Sequence, residues 1–359
     1  PNRAFDVALS ALANAGVGDT AGVGTINDND SAPDIYISDV TVNEGVAAVF
    51  AITLSEASAY DVTFDFTSSD NTALAGTDYT DNDQTGITIP AGSLSTNISV
   101  STTDVAGDGP NRIFDVALST LNNAGVGDTA GVGTINDNDS VPNIYISDVT
   151  VNEGVAAIFA ITLSEASGFD VTFDFASSDN TALAGTDYTD NDQTGITIPA
   201  GSLSTSISVS TTDVAGDGPN RIFDVALSTL ANAGVGDTAG VGTINDNDTA
   251  PNIYISDVTV NEGVAAVFAI TLSEASGFDV TFEFTSSDNT ALAGTDYTDN
   301  DQTGITIPAG SVSTSISVST TDIAGDGPNR IFDVALSTLN NAGVGDTAGV
   351  GTINDNDAA

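Results

Sequence analysis

The chain repeats one passage of sequence. The pentapeptide Ile-Asn-Asp-Asn-Asp ends at Asp30, Asp139, Asp248 and Asp357, a spacing of 109 residues each time. Pro142–Ala250 and Pro251–Ala359 differ at only seven positions, and exchanges such as Ile158 for Val267 and Asp174 for Glu283 are mild. A period of this length is a normal single-domain size, so the fold question reduces to the fold of one unit. The expected organisation is a leading piece at residues 1–30, matching only the last part of a unit, then full units at 31–139, 140–248 and 249–357. The partial start reads either as a cut from a longer array or as a piece that completes another subunit. Near-identical copies favour a role that gains from length or multiplicity over one unique site.

Charge narrows the partners. Four Arg stand against fifty Asp plus Glu, with no Lys, for a net charge of −46. Nucleic acid needs Lys and Arg on its phosphates, and anionic membrane surfaces need the same, so neither is expected as a partner. The chain is nevertheless 40% hydrophobic, which is unlike an acidic disordered tail. A folded body this acidic repels itself unless cations sit on it. Cys, His, Met and Trp are all absent. That rules out disulfides, Cys/His zinc sites and nucleophiles built on Cys or His. No stretch approaches the roughly 18 apolar residues of a membrane-spanning helix. A chain without Lys or Cys also suits an extracellular or cell-surface setting.

Apolar residues recur at every second position. Val62, Phe64 and Phe66 alternate with Asp61, Thr63 and Asp65; Phe114, Val116 and Leu118 alternate with Asp115, Ala117 and Ser119; Phe50, Ile52 and Leu54 form a third row. This is the pattern of strands with one buried and one wet face. Seven strands are predicted in the first full unit: 35–43, 47–55, 61–68, 86–89, 95–103, 112–119 and 131–135. Turns are expected at Glu44–Gly45, Pro90–Gly92, Gly107–Pro110 and Gly125–Asp128. Seven short strands in about 100 residues predict an all-β fold of antiparallel two-sheet sandwiches. The stretch 71–85 is expected to be a surface excursion pinned by Leu74 and Tyr79. Within it, Asp81-Asn82-Asp83-Gln84-Thr85-Gly86 resembles the start of an EF-hand loop, but Gly92 stands at the twelfth position and no helices flank the run, so it reads as a polar turn.

If the strands alternate in direction, the first, third, fifth and seventh all finish at one pole. Glu44, Asp70, Asp104 with Asp108, and Asp137 with Asp139 stand at those ends. The later copies repeat them as Glu153, Asp179, Asp213, Asp217, Asp246 and Asp248, then Glu262, Asp288, Asp322, Asp326, Asp355 and Asp357; the leading piece contributes Asp28 and Asp30. Six carboxylates in one cap either take up protons or hold a cation. Calcium suits them, since it takes about 6–8 oxygens in loose geometry. Asn138 and backbone carbonyls are available for remaining positions, and the carboxylate count leaves room for two or more ions per cap. The opposite reading for any single Asp is an ordinary solvated loop acid.

The residues Val42-Asn43-Glu44-Gly45, Ser69–Ala73 with Ala75–Tyr79, the turn Pro90–Gly92 and the closing Gly133–Asp139 resemble the Calx-β domain, across the whole unit and in all three copies. The resemblance implies a seven-stranded, immunoglobulin-like sandwich that binds calcium at one end, known both as a regulatory sensor in sodium/calcium exchangers and in extracellular bacterial arrays. It places calcium ligands on Glu44, Asp70, Asp104, the acid of the following loop and the terminal triplet. Two departures remove charge: the triplet reads Asp137-Asn138-Asp139, and the loop Val105–Pro110 lacks an acid-rich run, which implies fewer or weaker ions.

Only Ser140, Val141 and Pro142 join one unit to the next, too few for a floppy tether. Head-to-tail beads are therefore expected, each cap against the next base, with a rise of about 40 Å per unit from strand lengths. The one basic residue per unit, Arg112, Arg221 or Arg330 (Arg3 in the leading piece), reads either as an internal counter-charge to a carboxylate or as an exposed strand-edge Arg. Sequons at Asn29, Asn97, Asn138 and Asn247 match glycosylation acceptors, three of them overlapping the acidic cap. The function expected is a non-enzymatic, calcium-binding structural fibre or stalk, with neighbouring repeats and copies of itself as partners. An adhesive binding module on the same array is the alternative, and an exchanger-like sensor a third. Strand exchange between subunits is open through the leading piece.

Overall fold

The computed structural model describes residues 2–357, and every regular element among them is a β-strand. The chain divides into two compact units. One holds residues 1–142 with 164–171 and 199–203; the other holds 143–163, 172–198 and 204–359. The first contains a two-stranded hairpin and one complete sandwich, and the second contains the strands of the two later copies.

The hairpin pairs β1 (Arg3–Ala8) with β2 (Ala21–Ile26) in antiparallel register. The first sandwich follows with β3 (Asp34–Ile37), β4 (Val40–Asn43), β5 (Ala48–Leu54), β6 (Val62–Asp70), β7 (Gln84–Ile89), β8 (Ser95–Val100), β9 (Arg112–Asn122), β10 (Gly125–Asp128) and β11 (Ala130–Asn136). They form a four-stranded sheet in the order β10-β3-β5-β8 and a five-stranded sheet in the order β4-β11-β9-β6-β7. The same two sheets recur in both later copies.

Nine segments replace the seven expected because the outermost strands change sheets. The predicted strand 35–43 breaks at Ser38 and Asp39. There the Ser38 hydroxyl accepts the Ala51 N–H and the Asp39 carboxylate accepts the Val132 N–H, so side chains satisfy donors that a continuous ladder would have used. Its halves, β3 and β4, join opposite sheets. Gly125–Asp128, expected as a turn, is β10. It runs parallel to β3, as β11 runs parallel to β4. With β3–β5, β5–β8, β6–β7, β6–β9 and β9–β11 all antiparallel, the odd-numbered strands of the sequence reading do point one way.

The core lies between the sheets. The alternation in Ala48–Leu54 turns Ala48, Phe50, Ile52 and Leu54 inward. These meet Val62, Phe64, Phe66, Phe114, Val116, Leu118 and Ile135 from the other sheet. Phe114 stacks on Tyr79 with ring centroids 4.5 Å apart and meets Phe50 edge-on at 5.9 Å, geometries favoured by the ring quadrupole. Opposite this ring stands Gly133, where an added Cβ would fall 2.3 Å from Phe114. The excursion is pinned by Tyr79, as expected, but not by Leu74, which is 51% exposed. Ala73 is buried in its stead, and Leu74 contributes its N–H to Asp78 rather than its side chain to the core. Within the run Asp81–Gly86, Asp81 accepts the Ser68 hydroxyl at 2.5 Å and Asp83 accepts the Ser68 N–H at 3.1 Å. Asp81–Asp83 are thus a connection latched to β6, while Gln84–Gly86, expected within the polar turn, open β7.

Candidate metal centre

The pairing of β4 with β11 brings sequence neighbours of Glu44 and Asp137 together. The Glu44 N–H extends that ladder by donating to the Asn136 carbonyl at 3.0 Å. The chain then reverses at Gly45, whose φ of 72° lies in the left-handed region that glycine tolerates best. An added Cβ there would stand 3.2 Å from the Asp104 Cβ, so the glycine also admits Asp104 beside Glu44. From the far end of the unit, Asp139 closes in: its Oδ2 accepts the Gly107 N–H at 2.6 Å, and its N–H donates to Asp137 Oδ1 at 3.2 Å.

Three carboxylates result with oxygens all within 4.8 Å of one another: Glu44, Asp104 and Asp139. Glu153, Asp213 and Asp248 repeat the arrangement, as do Glu262, Asp322 and Asp357. Oxygens bound to one calcium lie at most about twice the bond length of about 2.3–2.6 Å apart, so the spacing suits a shared ion. The donor set is all oxygen, which is calcium's preference. The sharpest feature is Glu44 Oε1. Glu44 is only 6% exposed, and this oxygen has no hydrogen-bond partner, as is true of Glu153 Oε1 and Glu262 Oε1. A buried carboxylate oxygen without a partner is costly, and a bound cation would relieve that cost. Its twin, Oε2, receives the Val105 N–H at 3.4 Å.

The remaining acids of the sequence reading take other places. Asp108 and Asp137 are close to the three but not among them. Asp217 and Asp246 lie likewise in the second copy, while Asp326 and Asp355 stand outside the third trio. Asp70 is not brought into the cluster. Its Oδ1 accepts the Ala75 N–H at 2.7 Å and the Tyr79 hydroxyl at 2.8 Å, anchoring the excursion; Asp179 and Asp288 do the same for Tyr188 and Tyr297. Burial and this bond push the Tyr79 hydroxyl well above its usual range, so it remains a donor. In the hairpin, Asp30 donates its N–H to Asp28 and Asp28 donates its own to Asn2. Residues 1–30 supply no counterpart of Glu44 or Asp104. Asp78 was not singled out from sequence, yet it is buried and ion-paired to Arg112. Its signal was the lone cation of the repeat, which had to find an acid somewhere.

Burial, followed by the charges of Asp137 and Asp139, holds the Glu44 carboxyl above the usual glutamate range, against the lowering effect of the Val105 and Asn138 N–H groups. Glu153 behaves likewise beside Asp246 and Asp248. A carboxyl raised in the folded form contributes stability that is present below its unfolded pKa and is lost as pH rises through the folded value. A cation competes with that proton, so it supplies most where the proton is absent. The gain in melting temperature on adding calcium to metal-stripped protein is therefore expected to shrink as pH falls from about 7 to about 5. Thermal scans at a series of pH values check this, and a gain independent of pH contradicts it.

Comparison with known proteins places these observations in a family. The Calx-beta domain profile matches residues 28–141, 137–249 and 246–357, which is nearly the whole chain. Among solved structures, similarity extends to CBD12 from CALX1.2 at 17% identity, covering 55% of this chain and 80% of that one with a TM-score of 0.28. The apo-form Calx CBD1 domain is 14% identical over 30% of this chain and all of that one, with a TM-score of 0.29. FdeC, described as an Escherichia coli adhesin, is 13% identical over 90% and 97% with a TM-score of 0.26. No curated protein matches the chain.

Proposed function

The chain belongs to the Calx-beta domain family, and from that premise we propose that it is a calcium-binding structural array, a fibre or stalk segment outside the cell. Each repeat holds calcium through Glu44, Asp104 and Asp139 or their counterparts. The observation that carries this reading is the buried, unpartnered Oε1 of Glu44, reproduced at Glu153 and Glu262. Asp108, Asp137 and backbone carbonyls of the same loops complete the oxygen environment. When bound, the ion supplies charge neutralisation that ties the turn after β4 to the segments after β8 and β11. Three near-identical copies supply length; their chemistry repeats rather than diversifies.

The test is the set Glu44→Gln, Glu153→Gln and Glu262→Gln in one chain. Glutamine keeps the shape and removes a desolvated charge. Metal-free stability should hold or rise, because the charge is costly when buried. Calcium-induced stabilisation should vanish, since an ion that binds only the folded form acts through its affinity. Isothermal titration and thermal scans with and without calcium measure both. Undiminished calcium binding in the variant overturns the reading.

A further inference from the structure

Two glycines that the calcium reading leaves unused lie where one repeat meets the next. At the base of the second repeat, the Gly168 N–H donates to the Asp108 carbonyl at 2.5 Å; at the base of the third, the Gly277 N–H donates to the Asp217 carbonyl at 2.6 Å. Each pair lies inside one compact unit, the first within residues 1–142 and 164–171, the second within residues 204–359. The backbones touch. An added Cβ on Gly168 would fall 2.9 Å from the Gly109 Cα and 3.0 Å from the Asp108 carbonyl oxygen; one on Gly277 would fall 2.9 Å from the Gly218 Cα and 3.1 Å from the Asp217 oxygen. Backbone does not swing aside as a flexible side chain does, so this approach needs glycine. From the other side, Gly107 and Gly216 face the carbonyl oxygens of Ala166 and Ala275, which leave no room for a Cβ. Their counterpart in the third repeat, Gly325, has nothing within 4 Å among the described residues. The crowding therefore comes from the following base and not from the loop itself.

The first repeat departs from this fit. Four positions set it apart from both later copies: Asp34 for Asn143 and Asn252, Ala59 for Gly168 and Gly277, Tyr60 for Phe169 and Phe278, and Asn97 for Ser206 and Ser315. Three of the four gather at the base. Ala59 and Tyr60 stand just before β6, and Asp34 opens β3, where its N–H donates to the Ser55 hydroxyl beyond β5. Each change works against docking. Ala59 supplies the Cβ for which a cap has no room. Tyr60 is 51% exposed where Phe169 and Phe278 are 37% and 36%, and its hydroxyl suits a wet surface. Asp34 adds a negative charge to a surface that would face an acidic cap.

We propose that the base turn of a repeat is a docking surface whose partner is the glycine-rich loop after β8, or its counterpart, in the preceding repeat, and that the residue at 59, 168 or 277 selects the joint. Glycine closes it. Alanine leaves the base of the first repeat unable to take a cap in this way. The contact is made by backbone atoms, so it stands apart from the calcium reading.

The experiment uses the full chain. Gly277→Ala, Phe278→Tyr and Asn252→Asp together give the third repeat the base of the first, whose strands form with those same residues in place. The chain has no Cys, so Ser206→Cys and Ser315→Cys carry one spin label on each of the second and third repeats, at exposed strand positions. Calcium is held the same throughout. The parent should give one narrow distribution of label-to-label distances. In the triple variant its width should roughly double, and amide exchange at residue 277 should quicken by about tenfold or more as the joint opens. Phe278→Tyr alone keeps the glycine and should keep the narrow distribution. A parent as broad as the variant, unchanged width or exchange in the triple variant, or equal broadening from Phe278→Tyr alone overturns the proposal. So does loss of the third repeat's own melting transition, which would make Gly277 a residue of that fold and not of the joint.

Discussion

Chelating calcium from this chain should lower the melting temperature of its repeats by roughly 10–20 °C. The size follows from mass action. An ion present at about a hundred times its dissociation constant stabilises the folded form by about 2.7 kcal/mol, and each kcal/mol moves the midpoint of a domain of this size by about 4–8 °C. The direction follows from the site. Without the ion, Glu44 buries an oxygen with nothing to bond it, and Asp104 and Asp139 stand within 4.8 Å of it and of each other. Scanning calorimetry with chelator, then with calcium restored, measures the effect. Superimposable traces would remove calcium from the account of this protein.

The other large effect expected is in the core. Phe223→Ala in the middle repeat should destabilise that repeat by about 3–5 kcal/mol, the usual cost of truncating a buried aromatic side chain. Phe223 is wholly buried, stacks on Tyr188 at 4.5 Å and meets Phe159 edge-on at 5.9 Å. It also lies over Gly242, where an added Cβ would come within 2.3 Å of the ring, so nothing nearby can fill the space it leaves. Against a total of about 5–15 kcal/mol for a domain, such a loss should split calorimetric melting into an early transition for this repeat and a later one for its neighbours. A single unshifted transition would contradict it. Because Tyr188 bonds Asp179, the early transition should also release the excursion around residue 184.

Much of this was legible in the chain. The period fixes the unit, and the alternation in Ala48–Leu54 and Val62–Asp70 assigns the inward faces correctly because one face of each sheet is buried. Strand direction also followed, and with it the meeting of Glu44, Asp104 and Asp139. What alternation does not reveal is where a strand leaves one sheet for the other. Ser38 and Asp39 do that by taking backbone donors with their side chains, a choice that depends on partners far away in sequence. Gly125–Asp128 looked like a turn because glycine usually marks one, but here Gly127 leaves room for the Tyr36 ring beside an edge strand. Asp70 illustrates the limit for the site. An acid at the right strand end stands outside the trio, its Oδ1 accepting from the Tyr79 hydroxyl and the Ala75 N–H. Leu74 failed for the converse reason: an apolar side chain was credited to the interior when only its backbone was in use.

The parallel pairing of the first strand with the last, in both sheets at once, bears on how a repeat answers tension. Pulling a repeat by its two termini drags β3 and β4 one way and β10 and β11 the other. Their interstrand hydrogen bonds run across that axis, in register from Val40 to Asn43 against Gly133 to Asn136. Load therefore falls on the set in shear, and its bonds must give way together instead of opening one after another. A tether built from such links yields abruptly at high force and holds its length until then.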